Sequence, residues 1–434
     1  MSKNYNIVVA GTGYVGLVTG VCLAELGHNV TCVDIVKDKI EMMKKGISPI
    51  YEPGLSELMK KNVSRLEYTT DYASAYKKAD VIFIAVGTPE QEDGSANLNY
   101  VRTVSKEIAE SIENDCVIVV KSTVPIGTND EVERFIKENL KNDVKVSIAS
   151  NPEFLSQGSA VKDTLHAKRI VLGVEDDWAK DVLVDVYKGF EQPFVITNRR
   201  SAEMVKYASN DFLALKISYI NEIANMCELV GANVEDVTKG MSYDTRIGKE
   251  FLKSGIGFGG ACFPKDTKAL YNQASSEFGY EMQTIKAAID VNARQKTKLF
   301  FEAKKRFGAF DDLNVAILGL TFKPFTDDLR EAPSVDNINM LLKNGAKIKA
   351  YDPIGTDNAK RIFKDAIEYK TSIEETIKDA NVVFIMTEWK EIVEFDVRKY
   401  TELMKEPVVY DGRNCYDVQT MKDNSIEYIS IGRR

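Results

Sequence analysis

The stretch Asn6–Asp34, NIVVAGTGYVGLVTGVCLAELGHNVTCVD, decides the reading of the fold. Asn6–Ala10 is a short apolar run ending at glycine, the pattern of a parallel strand buried on both faces. Gly11-x-Gly13-x-x-Gly16 follows at once. Leu17–Leu26 then reads as a helix ended by Gly27, and a second strand, Asn29–Val33, finishes on Asp34. Each part has a physical task. Gly11 permits the tight turn, Gly13 lets a pyrophosphate approach the backbone, and Gly16 lets helix and strand pack closely. Phosphates then sit on the positive end of the helix. Asp34 falls where a carboxylate accepts ribose hydroxyls and repels a 2′-phosphate, so NAD is expected rather than NADP. His28, beside the helix-ending glycine, is expected as a cap or surface residue and not as a ligand.

The alternation continues outward from this unit. Asp80–Val86 is a further buried strand leading into Gly87-Thr88-Pro89. Cys116–Val120 leads into Lys121-Ser122-Thr123-Val124-Pro125, and Lys145–Ala149 into Asn151-Pro152-Glu153-Phe154-Leu155. Polar residues at the carboxyl ends of parallel strands line the crevice where such sheets bind ligands. Ser201–Val230 has helical spacing with no glycine or proline, a rod of about 45 Å. Lys206 and Asn210 lie one turn apart on it and share a face, a spacing that alone assigns neither a role. Helical segments continue to about Phe307.

A second strand-first rhythm starts at Asn314–Leu320 and repeats at Lys347–Tyr351, Asn381–Met386 and Pro407–Tyr410. Its first turn, GLTFKPFTDDLRE, lacks the spaced glycines and carries Lys323 and Arg330. A second dinucleotide is therefore not implied, and the cations suit a phosphorylated ligand or ion pairs with Asp327, Asp328 and Glu331. The expected fold is α/β, with two Rossmann-like doubly wound domains joined by a long central helix and a helical middle domain. The expected segments are 1–200, 201–307 and 308–434.

Composition narrows the function. A chain of 434 residues exceeds one core, and its net charge of -8 argues against nucleic acid or an anionic membrane as partner. No apolar run reaches a membrane span, and the first residues lead into a strand without secretory features, so a cytoplasmic location is expected. Six scattered cysteines and two histidines, His28 and His166, suggest no metal centre and no disulfide framework. Catalysis would then fall to Lys, Asp, Glu, Thr or Cys.

GFGGACFPKD, Gly257–Asp266, places a thiol, an ammonium and a carboxylate in a glycine-rich turn. One reading is a tight loop around a buried cysteine. The other is covalent chemistry beside NAD. An alcohol oxidised to an aldehyde is captured by a thiolate, loses a second hydride, and is hydrolysed as a thioester to a carboxylate. A neighbouring ammonium would favour the thiolate and the oxyanion.

With GTGYVG, VGTP, KSTVP, NPEFL, AEMVKYASN, RIGKEFLKSGIGFGGACFPKD and GLTFKPFTDDLRE in order along nearly the whole length, the chain resembles the UDP-glucose/GDP-mannose dehydrogenases. The resemblance implies NAD-dependent four-electron oxidation of UDP-glucose to UDP-glucuronate. It implies Cys262 as nucleophile, Lys206 and Asn210 on the oxyanion, Asp266 with Thr123 on the hydrolytic water, and Glu153 on the same proton path. NAD contacts would come from Gly11, Gly13, Tyr14, Val15, Gly16, Asp34, Lys39, Thr88 and Thr123, with Gln157, Lys265 and Arg330 as further contacts. The substrate would meet Glu153, Phe154, Leu155, Lys206, Asn210, Phe251, Leu252, Lys253, Ser254, Gly255, Gly257, Phe258, Gly259, Phe322, Lys323 and Arg413. Arg246 would reach a neighbouring subunit's site, making a homodimer the smallest complete unit.

One departure stands at Gln157, where the family commonly has a glutamate; an amide can hydrogen-bond the cofactor but cannot act as base. Rival readings are a GDP-mannose 6-dehydrogenase and a UDP-N-acetylmannosamine dehydrogenase, whose cysteine usually follows a histidine where Ala261 stands here. A two-electron hydroxyacid dehydrogenase would need no Cys262, and a non-catalytic NAD-responsive protein would need none of the reactive residues.

Overall fold

The computed structural model describes residues 3–433. The chain forms two compact units, Met1–Ser209 and Asn210–Arg434. The first contains β1 (Asn6–Ala10), β2 (Asn29–Val33), β3 (Leu66–Thr69), β4 (Val81–Ile84), β5 (Cys116–Val120), β6 (Val146–Ser150), β7 (Ile170–Gly173) and β8 (Phe194–Thr197). They lie in the order β3-β2-β1-β4-β5-β6-β7-β8. β1 to β6 pair in parallel; β7 turns antiparallel to β6 and pairs in parallel with β8. The helix after the first turn, Tyr14–Glu25, is apolar around its circumference because it is buried from Gly16 to Ala24. Its closeness to the sheet depends on small residues: a Cβ on Gly20 would lie 2.8 Å from the Cys32 sulfur on β2.

The second unit repeats the order with β9 (Asn314–Leu318), β10 (Lys347–Tyr351), β11 (Glu368–Tyr369), β12 (Val382–Ile385), β13 (Val408–Asp411) and β14 (Glu427–Ser430). The arrangement β11-β10-β9-β12-β13-β14 is parallel throughout, the order of a doubly wound nucleotide-binding sheet. The same unit holds helices Val234–Ser242, Phe263–Phe278, Gln283–Lys296 and Lys298–Phe307. The second sheet and these helices thus belong to one compact unit. The long helix runs Arg199–Val230, two residues longer at its start than its spacing predicts.

His28 meets one of its two expectations: its N–H caps the helix by donating to the Leu23 carbonyl (3.3 Å), but its ring is not at the surface. It is 3% exposed, receives the Tyr5 backbone N–H at Nδ1 (3.3 Å), and reaches the Val186 carbonyl with Nε2 at 2.9 Å. A ring accepting at Nδ1 donates from Nε2, so His28 is a buried tie between chain segments.

Candidate functional site

In the first unit the turn after β1 has the geometry of a phosphate cradle. Gly11 sits at φ 99°, and a Cβ on Gly16 would fall 1.9 Å from the Gly11 carbonyl oxygen. Gly13 caps the helix Tyr14–Glu25, and a Cβ built there meets nothing within 4 Å. Open space at a helix N-terminus fits a pyrophosphate, so the residues present suit a dinucleotide. Asp34 closes the other side. Its Oδ2 accepts from Thr12 N (3.0 Å) and Thr12 Oγ1 (2.5 Å), its Oδ1 accepts from Val36 N (2.9 Å), and Lys39 Nζ lies 3.9 Å away. Burial opposes its ionisation, but the Thr12 hydroxyl and the Val36 and Thr12 amides outweigh burial and hold the carboxyl below its usual range.

Around this turn, Tyr14 donates its hydroxyl to the Tyr51 carbonyl (2.6 Å), and Val15 packs against the core. Thr88 donates to the Thr123 carbonyl at 2.8 Å, tying together the turns that follow β4 and β5. The Thr123 turn is anchored at its far end by Glu203, whose buried carboxylate accepts from Gly127 N (2.6 Å) and Asn129 N (2.9 Å). An anion at the start of helix Thr128–Asn139 is favoured by the helix dipole. Gln157 lies half-buried in a loop pinned by Glu52, which accepts from Gly158 N and Ala160 N at 2.7 Å each.

Beyond β5 and β6 lies a buried polar cluster. Glu153 receives Lys206 Nζ at 2.9 Å and the Leu155 amide at 2.7 Å; both side chains of the ion pair are nearly inaccessible. Phe154 stacks under the Arg169 guanidinium at 3.9 Å, with Lys206 Nζ 5.5 Å from the same ring. Lys121 and Asn151 join this cluster although their spacing assigned them no role. Lys121 Nζ donates to Asn151 Oδ1 at 2.9 Å; Tyr187 donates to that same oxygen, and Asn151 Nδ2 holds the Val171 carbonyl. Burial pushes the Lys121 ammonium down to about 8, the Glu153 carboxylate opposing the shift and Lys206 adding to it. The signal in the sequence was a lysine ending an otherwise apolar strand. A cavity of about 220 Å³ borders Lys121, Asn151, Glu153, Phe154, Arg169 and Tyr187.

In the second unit Cys262 is solvent-exposed and caps helix Phe263–Phe278, where the positive end of the dipole favours a thiolate. One turn on, Asp266 is 1% exposed. Its Oδ2 accepts from Asn210 Nδ2 at 2.7 Å and its Oδ1 from Lys265 Nζ at 2.6 Å. The helix Arg199–Val230 thus carries Lys206 and Asn210 one turn apart, one paired with Glu153 and the other with Asp266.

The glycines before Cys262 exist because backbones touch there. A Cβ on Gly259 would lie 2.3 Å from the Glu331 carbonyl oxygen, and one on Gly260, at φ 84°, 2.8 Å from the Phe322 ring. Phe258 is bracketed by Asn292, which accepts from its N–H (2.8 Å) and donates to its carbonyl (3.0 Å). Gly255 is held by Asn221 and Gln295, and Gly257 sits at φ 88° against Asn292. Phe251 adopts a left-handed φ of 62° with its ring beside Phe263, while Leu252 and Ser254 are buried and Lys253 is exposed. Arg413 spends its guanidinium on the Met386, Gly257 and Phe322 carbonyls at 2.9, 3.2 and 3.0 Å, so it ties this loop to the turns of the second sheet. Lys323 Nζ lies 5.6 Å from the Phe322 ring. Arg330 chelates Asp328 (2.6 Å), one of the ion pairs open to it in the sequence; Arg246, 87% exposed, chelates Asp244.

Three family models cover the chain: the NAD binding domain of the UDP-glucose/GDP-mannose dehydrogenase family over residues 5–191, its central domain over 200–294, and its UDP binding domain over 316–418. The chain belongs to the UDP-glucose/GDP-mannose dehydrogenase family. Within that family it is 50% identical over 431 residues to the UDP-glucose 6-dehydrogenase YwqF of Bacillus subtilis, covering 99% of this chain and 98% of the relative. It is 45% identical to the UDP-glucose 6-dehydrogenase TuaD of the same organism, covering 98% and 93%. A solved UDP-glucose dehydrogenase from the archaeon Pyrobaculum islandicum superposes with a TM-score of 0.94 at 37% identity, covering 100% and 99%. The glycine cradle described above lies in the segment matched as the family's NAD binding domain, and the loop with Lys323 in its UDP binding domain. Among the described residues no helix is long and apolar enough to cross a membrane.

Proposed function

We propose that the protein oxidises UDP-glucose to UDP-glucuronate in two NAD-dependent steps, with Cys262 holding the sugar carbon between them. The observation that carries this reading is an exposed thiol on a helix N-terminus, one turn from a buried carboxylate fixed by Asn210 and Lys265. When bound, the nicotinamide cofactor supplies the acceptor for both hydrides. The Cys262 thiolate adds to the aldehyde carbon, and the resulting thiohemiacetal carries the hydrogen lost in the second oxidation. The thioester left on sulfur is displaced by water, giving the carboxylate and restoring the thiol. Asp266 and Thr123 orient that water and take its proton, Glu153 lies on the proton path, and Lys206 and Asn210 stabilise the oxyanions. The Lys206 charge is compensated by Glu153 before any ligand arrives, which keeps an ammonium in a dry site. Lys323 and the 251–259 loop receive the nucleotide sugar.

The same reading includes a homodimer in a reducing, cytoplasmic setting. On the long helix Phe212, Tyr219 and Met226 are 61%, 50% and 54% exposed at seven-residue spacing, an apolar stripe on one face that a second copy would cover. All six cysteines are outside disulfides, as reducing compartments favour. Light scattering reads the assembly directly, and a mass of one chain would discard the dimer. The chemistry is tested by counting NADH formed per sugar consumed, with UDP-glucose and then GDP-mannose. A ratio of two with UDP-glucose, and no acid from Cys262→Ala despite retained NAD binding, is expected. A ratio of one, or turnover only with GDP-mannose, would discard the assignment.

A further inference from the structure

Asp211 follows Asn210 on the long helix and is 2% exposed. Both its carboxyl oxygens are buried with no hydrogen-bond partner. Such a group is anomalous, since a carboxylate removed from water normally collects donors. The charge that acts on it is that of Asp266, on helix Phe263–Phe278, whose own oxygens are occupied by Asn210 and by Lys265, the cation paired with it. Both carboxyls are buried, and Asn210 and Lys265 both donate to the same one of them. Two neighbouring negative charges there would repel each other, so a proton stays on the member without donors.

We propose that Asp211 is a positioning residue for the hydrolytic half of the reaction: a buried carboxylic acid that stays neutral beside Asp266, so that Asp266 alone presents negative charge to the hydrolytic water. The inference rests on the function proposed above and adds to it a second carboxyl that acts through the first. It also accounts for why the residue after Asn210 is acidic on a face of the helix that water does not reach. Burial first, and the charge of Asp266 second, push the Asp211 carboxyl up to about 8. Above that pH a second negative charge appears beside Asp266 and strains its arrangement with Asn210 and Lys265.

The test compares the wild type with Asp211→Asn, which keeps the shape and is neutral at every pH. The ratio of their kcat values, measured from pH 6 to 9.5, is expected to be nearly flat below pH 7 and to change severalfold through pH 8. KM for NAD should match throughout. Lys121, which also titrates near 8, is common to both proteins and cancels in the ratio. A ratio constant with pH overturns the proposal. A second readout needs no turnover. The folded protein keeps a proton that the unfolded chain releases near pH 4, so this group's stabilising contribution is present below that pH and is lost as pH rises towards 8. The Tm advantage of Asp211→Asn should therefore widen by several degrees from pH 4 to 8 and stay level above. Equal Tm differences at all pH values would overturn the proposal, as would failure of both Asp211→Asn and Asp211→Ala to fold, since the residue would then be structural. Wild type that forms no NADH from UDP-glucose but shows the widening Tm margin would remove the enzymatic reading while leaving the neutral acid standing.

Discussion

The turns after β1 and β9 are built on the same plan and offer different binding groups. Each succeeds the first strand of a 3-2-1-4-5-6 order, each bends at a glycine with positive φ (Gly11 at 99°, Gly319 at 87°), and each is clasped by an aspartate ending the neighbouring strand. Asp34 clasps Thr12, while Asp352 clasps Leu320 N (2.6 Å), Thr321 N (3.1 Å) and the Trp389 indole (3.0 Å). The two turns differ in how soon the next helix begins. In the first unit it starts at Tyr14, so its first amides border the turn itself. In the second it starts only at Pro333, and the intervening loop brings Lys323 and Arg330. The first turn offers backbone dipoles at a helix N-terminus, and the second offers side-chain cations. The aspartate changes with it: Asp352 is buried and fully used by protein donors, whereas Asp34 remains partly exposed.

Substituting the two turns tests this division. Gly16→Ala should cost the most, because its methyl would occupy the place of the Gly11 carbonyl. NAD affinity is expected to fall about 100-fold or more, some ~3 kcal/mol, by fluorescence titration. Gly319→Ala, with its methyl 2.4 Å from the Thr387 side chain, should instead lower unfolding free energy by about 2–4 kcal/mol and spare NAD affinity in the surviving folded protein. An exchange of those phenotypes would break the comparison. Asp352→Asn comes next: an amide donor would face the N–H groups of Ile354 and Gly355 or those of Leu320 and Thr321, costing about 2–3 kcal/mol in a urea melt. A loss below half a kcal/mol would show that the clasp is dispensable.

Asp34→Asn is the smallest and carries a pH signature. Because the Asp34 carboxyl lies below its usual range, its contribution is present above the unfolded value of about 3.9 and is lost as pH falls through the folded one. The variant should melt a few degrees lower at pH 7 and converge with the wild type in acid. A Tm difference that is the same at pH 7 and pH 3 would mean that Asp34 acts only through shape.

The first unit was legible where strands are uninterrupted apolar runs. β1 and β5 begin and end where the sequence puts them, because burial on both faces leaves little choice of residue; β2, and β10 in the second unit, do so too although each is only partly buried. β3, β7, β8, β11 and β14 escaped that reading. Leu66–Thr69, Phe194–Thr197 and Glu427–Ser430 are short and half-exposed, and their tertiary neighbours define them more than their composition does. The candidate residues divide in the same way. Lys206, Asn210, Cys262 and Asp266 were candidates from the sequence because reactive residue types stand in motifs of the family. Lys121, Asn151 and Tyr187 could not, since their meaning comes from one amide oxygen shared across distant segments. Of the two places expected for His28 the cap is met and the surface is not, because a polar residue beside a helix-ending glycine carries no mark of the buried carbonyl its ring will meet.

Four of the six thiols are sealed in the interior and Cys415 is half-covered, leaving Cys262 as the one cysteine open to solvent. Among the cysteines, peroxide and alkylating reagents therefore reach Cys262 first. Under the function proposed above, an oxidant would thus reach the activity before the fold, and a single reversible cap on that atom would both silence and shelter it.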